Sequence, residues 1–363
     1  MRVWNLATGK QITTLTGHTG TVTAVAYAQL DDQPVTITGS TDGTVRVWNL
    51  TVAVTELPSR GGHIADIRAV ACGVLHDRQV AVSCSEDQTT RVWDLVTGEQ
   101  VQTLSGHTDT VTAVACGQLN DRPVTITGSA DRTAQVWDLA SGERINTLPL
   151  RTRHAKAVTA VAYGLLDGRP VAITGSRDKV ARVWDLTTGK VITAFTGHSG
   201  PVNAVAYGLL DDRAVAITGS GDKTVRVWDL ASGKQIISLP RHARHVNAVT
   251  AVAYGLSDDG PVAITGSGDK TVRVWDLATG KQVQTLVGHI DIVTAVACGV
   301  LNDRAVAITG GKDQTVRMWD LTTGSETAIF DYQGLTWNTV LIGPDGELII
   351  AAGWDITVLA RKQ

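Results

Sequence analysis

The chain is 363 residues long with 43% hydrophobic and 18% charged positions, which describes a globular chain with a large core and excludes intrinsic disorder. Its formal net charge of -3 and pI near 6.3 exclude the strong positive field on which non-specific nucleic-acid binding rests, so any charged partner must be recognised locally. Residues 1–10 lack an apolar signal core, and no stretch approaches the roughly 18 apolar residues of a membrane span; the expectation is a cytoplasmic protein with no membrane partner.

The predicted elements are short. Val22 to Tyr27, Val35 to Gly39 and Thr44 to Asn49 are mostly β-branched and bounded by turn residues, and Gln100 to Leu104 closes the following unit in the same way. Four strands of about six residues and four loops of about five fill a period in the mid-forties. The first segment of each unit is nearly unbroken apolar sequence, as in Val22, Ala24, Val25 and Ala26, and is expected to be buried on both faces.

That period is visible along the chain. VWD or a close variant centres on Trp48, Trp93, Trp137, Trp184, Trp228, Trp275 and Trp319, at steps of 45, 44, 47, 44, 47 and 44 residues. An aspartate lies six positions before each tryptophan, at Asp42, Asp87, Asp131, Asp178, Asp222, Asp269 and Asp313. A histidine lies 24 positions before each aspartate, at His18, His63, His107, His154, His198, His245 and His289. A four-stranded sheet cannot hide both faces alone, so such units stack and the right-handed twist closes the stack into a ring.

The cysteines follow the repeat. Cys72, Cys116 and Cys298 take a position held elsewhere by Tyr27, Tyr163, Tyr207 and Tyr254, and Cys84 replaces a glycine. No spacing joins them into a metal site, so they read as reduced, buried thiols.

The Gly-His pairs Gly17-His18, Gly106-His107, Gly197-His198 and Gly288-His289, each followed about 30 residues later by Trp-Asp or Trp-Asn, resemble the signature of the WD-repeat β-propeller family. The resemblance implies an all-β closed propeller of four-stranded blades and a hydrogen-bonded tetrad in each blade. The tetrad hydroxyls would be Thr38, Ser83, Thr127, Thr174, Thr218, Thr265 and Thr309. A catalytic triad would use the same residue types, but seven identical copies argue for architecture, and no catalytic residue, metal or cofactor is assigned. The hairpin sequences GLLDGRPVA and GLLDDRAVA and the tail GPDGELIIAAGWD are similar to bacterial, actinomycete-like members of that family, in which propellers often follow a signalling domain.

The whole of 1–363 reads as one propeller domain, with seven complete repeats over 18–330. Beyond them Thr336 to Ile342, Glu347 to Ala351 and Ile356 to Ala360 read as three more strands that have lost the tetrad, with Asp331, Ala351 and Arg361 where His, the hydroxyl and Trp would stand. Joining residues 331–363 to 10–16 gives the favoured expectation of eight blades, closed by strands from both termini, over an alternative of seven. Arg2 to Asn5 repeats the third-strand motif RVWN and has no free place in that scheme.

Function is then expected at loop tips. By family analogy the His loops and Asp turns share one face, which carries Arg132, Arg177, Lys179, Lys223, Lys270 and Lys312, and two insertions with Arg151, Arg153 and Lys156, and with Arg241, His242 and Arg244. The opposite face holds ten aspartates and five arginines between first and second strands. A basic sector on the loop face predicts capture of an acidic or phosphorylated peptide. Trp354, outside the repeat pattern, is a candidate anchor. The expectation is a monomeric, non-enzymatic scaffold for a protein or peptide. Its alternatives are a small-ligand or carbohydrate-binding propeller, or the accessory propeller of a larger signalling enzyme. Stacking aromatics for nucleic acid are not evident.

Overall fold

The computed structural model describes residues 2–5, 11–14, 17–30, 33–49, 62–76, 78–148, 154–238, 245–301, 304–331, 338–342, 348–352 and 355–360. All regular structure within them is β. Blade 5 is representative: Val202–Leu210, Arg213–Ser220, Val225–Asp229 and Gln235–Ser238 pair in chain order as an antiparallel four-stranded sheet. Blades 2, 3, 4, 6 and 7 repeat it. Blade 1 shows three strands, Val22–Leu30, Gln33–Ser40 and Val45–Asn49, and residues 50–61, where its fourth would fall, lie outside the described residues.

The second strand forms the core of each blade. Arg213–Ser220 buries six consecutive residues because it is flanked by strands on both sides and by neighbouring sheets on both faces. From blade 2 to blade 7 the sheet interfaces hold one tryptophan against apolar residues of the blade before, as where Trp228 and Leu230 pack with Val171, Ile173, Val183 and Phe195. Phe195 stacks on Trp228 with ring centroids 4.9 Å apart.

First and second strands form the longest hairpins. Their first strands run nine residues, as in Val202–Leu210, against the five of Val225–Asp229, so each hairpin extends past the third strand. Two-residue turns with both residues at positive φ close several of them: Asn120 and Asp121 (49° and 61°), Asp167 and Gly168 (50° and 73°), Asp211 and Asp212 (48° and 59°). This is the turn whose twist matches right-handed strands, and Asn, Asp and Gly tolerate it best.

The first strands line a central channel, each touching the next. Between blade 7 and blade 1 stands a sheet built from both chain ends, in the order 11–14, 2–5, 355–360, 348–352, 338–342. The expectation of an eighth four-stranded blade fails here. The sheet has five strands, and Arg2–Asn5 runs parallel to Asp355–Ala360, whereas every pairing within the seven repeat sheets is antiparallel. The cause lies in the RVWN segment. It keeps the register of a third strand toward Gln11–Thr14, with Arg2 opposite Thr14 and a bulge before Trp4, as Arg226 pairs Ser238 with a bulge before Trp228. Asp355–Ala360 already occupies the antiparallel place beside Leu348–Ala352, so Arg2–Asn5 can only add outside it.

Candidate partner-binding face

All seven quartets are assembled within their own blades. In blade 5 the His198 Nδ1–H donates to Asp222 Oδ2 at 2.9 Å, the Thr218 hydroxyl donates to His198 Nε2 at 2.8 Å, and the Trp228 Nε1–H donates to Thr218 Oγ1 at 2.9 Å. The other six repeat this relay, with His–Asp distances of 2.7 to 3.0 Å. One hydroxyl thus satisfies both an imidazole and an indole in a site that excludes water. Burial pulls the His63, His154 and His245 pKa values below the usual 6.5, against the opposing pull of Asp87, Asp178 and Asp269, so these rings stay neutral. For the aspartates burial acts upward, but hydrogen bonds and the nearby imidazole outweigh it: Asp42, Asp131, Asp178, Asp222 and Asp269 fall far below 3.8, and Asp313 to about 2.

Two further members of the arrangement carry a sequence signal that the spacing analysis did not use. A threonine two residues after the aspartate caps its other oxygen: the Thr44, Thr89, Thr133, Thr224 and Thr271 hydroxyls donate to Oδ1 at 2.6 Å. Blade 4 has Val180 instead, and there Arg182 contacts both Asp178 and His154. In blades 2 to 6 a serine two residues before the aspartate accepts its backbone N–H and donates to the loop carbonyl after the histidine, as Ser220 does with Asp222 and Gly200, whereas blade 7 carries Gly311 there. Gly197 of the Gly-His pair sits at φ +154°, a backbone conformation that residues with a Cβ rarely adopt, beside the Arg226 guanidinium, which crosses the Trp228 ring at 5.9 Å.

These bonds put the His loops and Asp turns of each blade together on one face. Arg132, Lys179, Lys223 and Lys270 follow their aspartates at φ of 71° to 75° and are exposed. Arg177 and Lys312 precede theirs, Arg177 exposed and Lys312 half-buried. Arg151, Arg153, Arg241, Arg244 and Trp354 lie outside the described residues.

At the channel mouth on this face is a cavity of about 670 Å³ lined by blades 1 to 4, including Thr23, Asp66, Arg68, Thr112, Thr159 and Arg177. Arg68 was not singled out from the sequence. It takes a position where other blades carry a lock to their neighbour: Thr112, Thr159, Asn203 and Thr250 donate to the first-strand carbonyls of Val158, Val202, Val249 and Val293 at 2.5 to 2.8 Å. Arg68 instead pairs with Glu86 at 2.6 Å, both about 40% exposed (44% and 37%). The available signal was its departure from the repeat.

The WD40 family model, described as WD domain, G-beta repeat, matches residues 9–49, 55–94, 98–138, 142–185, 189–229, 233–276 and 280–320. The chain belongs to the WD40 family. Seven matched repeats correct the eight-blade expectation: this is an all-β, seven-bladed WD40 propeller of four-stranded blades, and the sheet at the chain ends is not an eighth repeat but a tetrad-free seam. Mitochondrial division protein 1 of Mycosarcoma maydis is 45% identical over 51 residues, covering 14% of this chain and 6% of that protein, so this chain matches only a small part of that relative's length. The crystal structure of the computationally designed Ika8 protein is similar at a TM-score of 0.77 and 26% identity, over 96% of this chain and 98% of that one. The WD40 propeller is a typical protein-interaction scaffold and generally not an enzyme fold.

Proposed function

We propose that this WD40 propeller is a non-enzymatic scaffold that captures an acidic or phosphorylated segment of a partner protein on its loop face, with the channel-mouth cavity as anchor. The observation that carries this reading is the cavity itself. It sets the Arg68 and Arg177 guanidiniums among threonines, two cations against the single Asp66 carboxylate of the lining, with Arg132, Lys179, Lys223 and Lys270 exposed on the same face. Guanidinium binds carboxylate or phosphate through paired, charge-assisted hydrogen bonds. Glu86 would yield Arg68 to a stronger anion. The four free cysteines and the hairpin sequences favour a bacterial, cytoplasmic setting as part of this reading.

Fluorescence anisotropy with labelled peptides tests it. Aspartate-rich and phosphoserine peptides should bind the whole chain with a marked salt dependence, while a lysine-rich peptide and a single-stranded oligonucleotide should not. The Arg68→Ala/Arg177→Ala variant should weaken acidic-peptide binding at least tenfold with an unchanged melting temperature. Equal binding by variant and wild type, or a preference for the oligonucleotide, would reject the reading.

A further inference from the structure

Blade 2 departs from the other blades at the channel mouth in three charged residues. Asp66 and Arg68 stand where every other repeat has an uncharged residue, such as Thr21 and Thr23 in blade 1 or Thr110 and Thr112 in blade 3, and Glu86 holds the turn position that is Arg177 in blade 4. Asp66, Arg68 and Arg177 line the cavity. The Glu86 backbone N–H donates to the Asp66 carbonyl at 2.9 Å, and the Glu86 carboxylate pairs with Arg68 at 2.6 Å. Arg177 is exposed and has no ion-pair partner among the described residues. The two guanidiniums are therefore unequal: Arg177 is open to an incoming anion, while Arg68 already holds one. The Thr112 and Thr159 hydroxyls beside them donate to the Val158 and Val202 carbonyls, so the guanidiniums are left as the donors for a ligand.

We infer that Glu86 is a built-in competitor at this site, closing Arg68 to a single carboxylate and leaving it open to a phosphate. The inference rests on the anion-binding reading of the cavity. Moving Arg68 from Glu86 to a partner's carboxylate breaks one charge-assisted pair and forms an equal one. Glu86 is tethered, with an effective concentration on the order of millimolar, so it outcompetes the carboxylate of a micromolar partner. A phosphoserine carries a charge of roughly -1.5 to -2 and three acceptor oxygens, so the same exchange gains both charge and hydrogen bonds. Glu86, already 37% exposed in the pair, then passes into water. Because both members of the pair are half-exposed, displacing Glu86 costs only about fivefold in affinity. An aspartate-rich partner is held by Arg177 and the turn cations, a phosphorylated one by Arg68 as well.

Fluorescence anisotropy on the intact chain tests this, with two peptides identical except for phosphoserine or aspartate at one position. Arg68→Thr, which brings in the residue of blades 1, 3, 4, 6 and 7, should loosen the phosphoserine peptide by about fivefold or more and leave the aspartate peptide unchanged. Glu86→Gln should tighten the phosphoserine peptide by up to about fivefold, a gain that misfolding cannot produce, and should make the aspartate peptide respond to Arg68→Thr. Equal losses of the two peptides in Arg68→Thr, or no gain in Glu86→Gln, overturn the inference while leaving the anion site standing. Failure of both peptides to bind wild type and Glu86→Gln alike rejects the anion site, and the inference with it.

Discussion

The Tyr207 ring lies directly over Gly164 of the preceding blade, where a Cβ would fall 2.2 Å from the ring, and its hydroxyl reaches the next carbonyl, that of Leu165, at 2.8 Å. The same fit joins Tyr163 to Gly117 and Tyr254 to Gly208, and with smaller side chains Cys116 to Gly73 and Cys298 to Gly255. The tyrosine-or-cysteine position is thus one half of an inter-blade contact whose other half must be small.

Gly164→Ala should therefore destabilise the propeller by about 1 to 3 kcal/mol, as overpacking does in a filled interior. Gly168→Ala, at φ +73° but with nothing within 4 Å, should cost only the backbone term of about 1 kcal/mol. Denaturant titrations of the two variants read the difference, and equal losses would show that the Tyr207 contact is not tight.

Trp228→Ala should cost about 3 to 5 kcal/mol through the cavity it leaves. Thr218→Val should also destabilise strongly, because it strands both the His198 Nε2 acceptor and the Trp228 N–H. Thr36→Val is the opposite case: the Thr36 hydroxyl is fully buried with no hydrogen-bond partner, so removing it should leave stability equal or raise it by about 1 kcal/mol. Melting temperatures in that order check the assignment.

Acid should unfold the protein in two stages. His63, His154 and His245 lie below 6.5 in the folded chain through burial, so below 6.5 the unfolded chain binds more protons and stability falls as pH drops from neutral toward the folded values. The tetrad aspartates are depressed, Asp313 to about 2, so their contribution is present above 3.8 and is lost as pH falls through the folded values. Both groups act in the same direction. A melting temperature that rises between pH 7 and pH 5 would contradict this.

Lys223 sits at φ +72° in its turn, a conformation that costs non-glycine residues about 1 kcal/mol. Lys223→Gly should raise stability by up to that amount. The reverse change at the equivalent Gly43 should be harmful, since a Cβ there would fall 2.0 Å from the His63 carbonyl oxygen of the next blade. Thermal melts of both variants measure the contrast.

Within a blade, nearly everything was legible. His, Asp and Trp keep invariant spacing across the repeats because the strands and turn between them have constant length, and the resemblance to the WD-repeat family implied the hydroxyl that joins them, Thr218 in blade 5. The capping threonines and serines obey the same local logic and were there to be read. The basic turn residues could be placed on a face, although five of the candidate residues fall outside the described positions.

Between blades the sequence was much less informative. Gly164 and Tyr207 stand 43 residues apart, and Arg68 and Arg177 are brought to one cavity from blades 2 and 4, by packing around an axis that no residue period encodes. The blade count failed for the same reason. The sequence alone determined the repeating unit, because its bonds close inside each sheet; only the tertiary structure decided the seam, the channel mouth and the tyrosine–glycine contacts between blades, because these depend on which strand wins a contested edge and on how separate sheets meet.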